Sequence, residues 1–229
     1  MTEFQRYAVF YAPRAGGLAD LAGHWLGRHV QTGAPVAQPD IAGLPGPIAQ
    51  LTAEPRRYGF HGTLRAPFRP GPGVTLDDIG DNVAALAARL AVVRCNGLQL
   101  EDLQGFLALT PLGCEAALQD LAAVIVEATN PLRARLNAAE MARRRPEGLT
   151  ARQRVLLDLW GYPYVMEVFR FHLTLTDRLA PEHAAPVMAA AGMHFAQVMA
   201  QPFYLEDLCL FGEDAAGLFR LIHRYALTG

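Results

Sequence analysis

Apolar and aromatic residues run almost unbroken from Arg6 to Pro13, which predicts an early strand ended by the proline. Behind Gly16 and Gly17, a helical pattern extends from Leu18 to His29. The stretch from Gly33 to Pro47 is rich in Pro, Gly and Ala and predicts a loop, long enough for a flap over a site. Phe60 to Ala66 reads as a strand. Thr75 is placed to cap a helix through Val92, with Asp77, Asp78 and Asp81 near its positive end. Leu98 to Leu112 predicts two strands, or one broken at Gly105, and Glu115 to Arg135 a helix interrupted at Asn130 and Pro131. A helix from Thr150 to Trp160 is closed by Gly161, Tyr162 and Pro163. A strand from Val165 to Thr176, a helix from Pro181 to Gly192, and strands from Phe203 to Phe211 and Leu218 to Leu227 complete the pattern.

Strands and helices alternate, yet several strands follow one another directly. That order predicts an α+β fold with largely antiparallel sheets. Neither GxGxxG nor GxxxxGK[ST] occurs, which sets aside the simplest dinucleotide and nucleoside-triphosphate sites.

A weak internal repeat organises the chain. Phe60-His61-Gly62-Thr63-Leu64 is followed by a helix and then by Leu100-Glu101-Asp102-Leu103. Phe171-His172-Leu173-Thr174-Leu175 is followed by a helix and then by Leu205-Glu206-Asp207-Leu208. With 7 His, 11 Thr and 32 Leu in 229 residues, chance supplies about 0.05 His-x-Thr-Leu motifs, so two together are rare. A unit used twice predicts two related lobes in one domain spanning residues 1–229, with lobe motifs around 58–112 and 165–227.

The period of two in a strand puts His61 and Thr63 on one face, with Phe60, Gly62 and Leu64 on the other. In the second copy His172, Thr174 and Thr176 share a face. If the lobes face each other, two imidazole–hydroxyl pairs converge on one groove. That set suits phosphodiester hydrolysis. One imidazole takes a proton from the attacking water, the other gives one to the leaving alkoxide, and either histidine can do either near neutral pH. The Thr63 and Thr174 hydroxyls can donate to the nonbridging oxygens as charge builds there. The scheme needs no metal and no other cofactor.

Two other classes compete with it. A non-catalytic nucleotide- or RNA-binding module would keep the groove and form no product. A metal-dependent hydrolase would use His61 and His172 as ligands, but neither motif carries a carboxylate or second His at ligand spacing. Two purely structural histidines would leave the repeated Thr unexplained.

Composition narrows the setting. Hydrophobic residues make up 52% and charged residues 18%, as in a globular chain. No apolar run approaches a membrane span, and the N-terminal stretch from Met1 to Arg6 lacks a secretory pattern. Cys95, Cys114 and Cys209 are odd in number and share no metal spacing, which predicts reduced thiols in a cytoplasmic protein. A net charge of −2 supplies no field for long double-stranded nucleic acid. The expected partner is a small phosphorylated substrate or a nucleotide or RNA end, met by a monomer. All 20 basic residues are Arg; that bias fits a GC-rich bacterial genome, so a phosphate role must be argued for each position.

At His61-Gly62-Thr63-Leu64 and His172-Leu173-Thr174-Leu175 the chain resembles the 2H phosphoesterase superfamily, known for two His-x-Thr/Ser motifs in a duplicated bilobal fold. The longer stretches Tyr7 to Pro13, Tyr58 to Phe68 and Phe169 to Thr176 resemble a branch encoded in bacterial phosphonate-utilisation operons, over nearly the whole chain. That branch's first motif reads His-Ala-Thr-Leu-Lys-Pro-Pro-Phe; here Gly62, Arg65 and Ala66 replace Ala, Lys and the first Pro. The resemblance implies hydrolysis or ligation of cyclic phosphate bonds in RNA and nucleotides, or of a cyclic ribose phosphate. By strand parity Arg65 and Arg170 share the faces of His61 and His172 and are candidates for a second phosphate. Tyr7 and Tyr11 are candidates to stack on a base or line the groove. Which histidine is acid and which base stays open.

Overall fold

The computed structural model describes residues 4–229; the first three residues of the N-terminal stretch lie outside them. In chain order the elements are β1 (Arg6–Tyr11), α1 (Gly17–Leu26), α2 (Ile48–Leu51), α3 (Ala53–Tyr58), β2 (Gly62–Phe68), α4 (Leu76–Ala87), β3 (Val93–Cys95) and β4 (Gly97–Asp102). They continue with β5 (Leu107–Leu112), α5 (Glu115–Thr129), α6 (Ala138–Arg143), α7 (Ala151–Trp160), β6 (Leu173–Thr174), α8 (Pro181–Met199), β7 (Phe203–Leu205), β8 (Asp207–Glu213) and β9 (Phe219–Ala226). The α+β class with antiparallel pairing is as expected.

Seven strands form one sheet in the order β4-β5-β6-β2-β1-β8-β9, every neighbouring pair antiparallel. β3 and β7 pair separately. Because β3 runs into β4 across Asn96, and β7 into β8 across Glu206, this short ladder links two distant strands of the large sheet.

The duplication is fuller than the motifs alone indicate. β1, helices, β2, α4, β3 and β4 are followed by β5, helices, β6, α8, β7 and β8, with β9 added at the end. The copies exchange strands: β4 of the first pairs with β5 of the second, and β8 of the second with β1 of the first. The helices obey the same relation, α8 lying on β4 and α1 as α4 lies on β8 and α5. The two Leu-Glu-Asp-Leu tetrapeptides are not equivalent. Glu206 stands at the β7–β8 break, whose counterpart is Asn96, whereas Glu101 lies further along β4.

The core lies between one sheet face and the helices. Val9, Leu64, Leu109, Leu173 and Leu210 meet Trp25, Val83, Leu118, Ile125 and Phe195 in one cluster. Alternation turns Ala8 and Phe10 to the other face. α4 begins with the expected cap: Thr75 accepts from the Asp78 amide and Asp78 answers to the Thr75 amide. Such a box is worth about 1 kcal/mol.

Several expectations are corrected. From Val165 to Thr176 only Leu173 and Thr174 are strand; Met166–Val168 is a 3-10 turn. Val165 packs instead with Val126 and Leu156, and Gln119 holds the Met166 carbonyl, so this apolar stretch finds a helix rather than a sheet partner. α8 passes through Gly192 to Met199. The loop at 33–47 is no flap: Val36 donates to the Gly27 carbonyl, and Gln38 to the Trp25 carbonyl, tying it to α1. Cys95 and Cys114 form a disulfide between β3 and the start of α5, leaving Cys209 as the buried free thiol. No described helix is long and apolar enough to cross a membrane.

Gly62 faces away from the His–Thr side, and a Cβ there would run into the ring of Phe171. Gly62→Ala is therefore expected to cost about 1–3 kcal/mol by overpacking, and clearly less in a Phe171→Leu background, read by denaturant unfolding. Equal losses in the two backgrounds would show that the ring is not the obstacle.

Candidate active site

β2 and β6 are neighbours at the centre of the sheet, with Gly62 opposite Leu173. Antiparallel register then sets His61 across from Thr174, and Thr63 across from His172. Directly opposed side chains stand about 4.5–5.5 Å apart at Cβ. The motifs thus form a four-cornered set, with the histidines on one diagonal and the threonines on the other.

The histidines are held alike. His61 Nδ1 lies 2.9 Å from the Gly59 carbonyl, and His172 Nδ1 lies 2.8 Å from the Arg170 carbonyl, in each case two residues upstream. A carbonyl only accepts, so Nδ1 donates and Nε2 is left for chemistry. His61 Nε2 meets the Thr63 hydroxyl at 3.3 Å. Gly59 makes this possible: at φ 75 it turns the chain out of α3 so that its carbonyl faces back to the ring. Phe10 packs on His61 with centroids 4.1 Å apart, and Tyr58 stacks on it at 5.3 Å. Phe106 lies 5.7 Å from His172.

Burial sets the protonation of both rings. It pushes His61 down to about 4, outweighing what the Gly59 carbonyl restores, and His172 adds a smaller downward push. His172 is also lowered, by burial first and then by the Arg170 charge, against the pull of the Arg170 carbonyl. Both rings are therefore neutral at pH 7.

The groove holds about 590 Å³ and is lined by His61, Thr63, Thr174, Tyr58, Phe106 and Tyr162 among others, with Arg6, Arg144 and Arg178 at its polar margin. That volume lies within the usual range for small-molecule sites, roughly 300–1,000 Å³. Among the described residues, no three His, Cys, Asp or Glu side chains are grouped to hold a metal ion.

The four substrate-binding candidates are placed otherwise. Tyr7 and Tyr11 point into the core, where Tyr11 packs on Phe171 and Phe203; burial pushes its hydroxyl pKa well up. The even positions of β1 face the site instead, so Arg6 and Phe10 occupy the side assigned to the tyrosines. Arg170 is exposed and spends its guanidinium on Glu101, at 2.8 Å to both oxygens. It precedes β6, so strand parity does not reach it. Only its carbonyl serves the site. Arg65 is buried beside the groove rather than in it. The sequence signal for Tyr58 was its place three residues before His61; Tyr162 and Arg144 come from a distant segment.

Two central histidines, each backed by a carbonyl and faced by a threonine, on an antiparallel sheet built from two exchanged repeats, define the class of fold and site. The chain belongs to the family described as "Protein of unknown function (DUF1045)", whose pattern matches residues 63–220. Two curated relatives bear the name "Ribose 1,5-bisphosphate phosphokinase PhnN". The one from Janthinobacterium sp. (strain Marseille) is 38% identical over 93% of this chain and 48% of its own length. The one from Laribacter hongkongensis (strain HLHK9) is 38% identical over 94% of this chain and 50% of its own. The chain thus spans about half the length of these relatives. Similar solved structures include TT0787 of Thermus thermophilus, with 16% identity, a TM-score of 0.49 and 98% of each chain covered. LigT of E. coli complexed with 3'-AMP has 15% identity, a TM-score of 0.44 and coverage of 99% of this chain and 100% of its own. A third is titled "Crystal structure of phosphoesterase", at 16% identity, a TM-score of 0.43 and coverage of 99% and 100%.

If burial governs the rings, nuclear magnetic resonance of ¹⁵N-labelled protein should show both as Nδ1–H tautomers at pH 7, with His61 titrating near 4. A His61 midpoint at 6.5 would contradict the enclosure described.

Proposed function

We propose that this chain is a metal-independent phosphoesterase that opens a cyclic phosphodiester of a nucleotide or sugar phosphate, acting as one bilobal unit with the groove between its halves. The observation that carries it is the matched pair of imidazoles, both with Nδ1 bound to a carbonyl, which leaves Nε2 as the nitrogen for proton transfer. Water oxygen attacks phosphorus as one neutral Nε2 takes its proton. The P–O bond of the ring breaks, and the other imidazole, protonated beforehand, delivers its Nε2 proton to the leaving alkoxide. Thr63 and Thr174 donate to the nonbridging oxygens while negative charge grows on them. A cyclic ribose phosphate is favoured over an RNA end because the name of the curated relatives concerns a ribose phosphate. The kinase named there is not assigned to this chain, which matches half of each relative and lacks the GxxxxGK[ST] loop.

The test is hydrolysis of 2′,3′-cyclic nucleotides and cyclic ribose phosphates, followed by phosphorus magnetic resonance with EDTA present. His61→Ala and His172→Ala should each lower turnover about 10²–10⁴-fold while circular dichroism is kept. Full activity in both variants would overturn the assignment. Binding of the panel with no product from wild type would favour the nucleotide-binding module.

The pH profile follows from the two depressed imidazoles. In the free enzyme, kcat/KM requires one ring neutral and one protonated. His61 stays neutral down to about 4, and His172, lowered from its ordinary 6.5, gives up its proton as pH rises through a value below that. The kcat/KM bell should therefore peak between about 4 and 6.5 and fall as pH rises beyond it. A peak above pH 7 would rule out this pairing of states.

A further inference from the structure

Beside the groove, and sharing Tyr58, Ala66, Pro67 and Tyr162 with it, lies a second cavity of about 280 Å³. Among the described residues its walls carry seven arginines and a single carboxylate, Glu140. That carboxylate is already taken, both oxygens accepting from Arg69 at 2.8 Å. Arg6 is likewise committed, to Glu213 outside the cavity.

Arg65 is different. It is 1% exposed, on β2 two residues beyond Thr63. Its Nη1 donates to the Trp160 carbonyl at 3.0 Å, and its face lies 5.3 Å from the Phe68 ring. Nε and Nη2 are buried without a partner. Its charged neighbour in the cavity is another cation, Arg133, whose own bonds go to Asn130 and to backbone carbonyls of Ala134 and Leu159. Burial, then the charge of Arg133, push Arg65 down to about 9, still charged at pH 7. A buried cation facing a second cation, with no carboxylate to spare, is strongly unfavourable. A bound anion would supply what is missing. A phosphoryl group fits the guanidinium fork, which presents two parallel donors. Arg144, over the Tyr162 ring at 4.9 Å, lines both cavities and lies between them.

We propose that this cavity is a phosphomonoester site, so that the substrate carries, besides the ring opened in the groove, a second phosphoryl group bound by Arg65 and Arg133. Two residues of strand separate Thr63 from Arg65, about 7 Å, a reach that a pentose phosphorylated near both ends can span. The statement about substrate rests on the groove being catalytic; the binding site does not.

The experiment has two arms. In the first, inorganic phosphate is titrated calorimetrically into wild type, Arg65→Met, Arg133→Gln and the His61→Ala/His172→Ala double variant, each checked by circular dichroism. Binding should persist in the double histidine variant and weaken at least tenfold in Arg65→Met, or in Arg133→Gln should the first variant not fold. Binding that ignores both arginine substitutions, or that disappears with the histidines, would overturn the site. In the second, wild type is given cyclic ribose phosphates with and without a further phosphomonoester. A preference of 10²-fold or more in kcat/KM for the doubly phosphorylated compound, collapsing in the arginine variants, is expected. Equal rates on both compounds would refute the substrate class while leaving the catalytic reading intact. Arginine-dependent phosphate binding without any ring opening would sink the catalytic reading and keep the site.

Discussion

Everything in the groove depends on one contact between strands, the pairing of Gly62 with Leu173. Each is the middle residue of a His-x-Thr motif, so the register brings unlike residues opposite and like residues onto diagonals. A slip by one residue would turn one pair into the core. Gly62 allows the approach on the buried side, where Phe171 fills the space a methyl group would need. The groove face and the core face are thus fixed by the same few atoms.

Electrostatics in the two cavities follow from the same lack of water and have different outcomes. The imidazoles answer burial by losing their protons, which leaves both as neutral rings. A guanidinium has no such freedom at neutral pH. Arg65 stays charged, with two nitrogens unmatched, and its surroundings are poised for a negative partner. One compartment is suited to move protons, the other to hold a fixed charge.

Much of this was legible in the residues. The His–Thr parity, the cap at Thr75 and the paired strands around Gly105 are local patterns, and local physics delivered them. What failed needed knowledge of neighbours. Tyr7 and Tyr11 offer rings to stack on a base, but they face the core, and the opposite parity of β1, Arg6 and Phe10, faces the site. Val165 to Phe171 looks like a strand and has no strand to pair with. Cys95 and Cys114 are joined only because β3 ends beside the start of α5. Arg65 was on the right strand, yet the cavity it lines is closed by Trp160, Gly161 and Tyr162, nearly a hundred residues away, and no short-range pattern reports that.

The exchange of strands between the repeats also governs how the chain can reach this structure. Arg6 pairs with Glu213, so the first strand is completed only when nearly the whole chain is present. Neither repeat can close its half of the sheet alone, since each gives an outer strand to the other. The molecule resembles a reciprocally swapped pair of subunits joined into one polypeptide. Contacts of such sequence separation slow folding. A fragment of either half would leave a strand edge bare, a template for pairing with other chains; the complete chain hides that edge within itself.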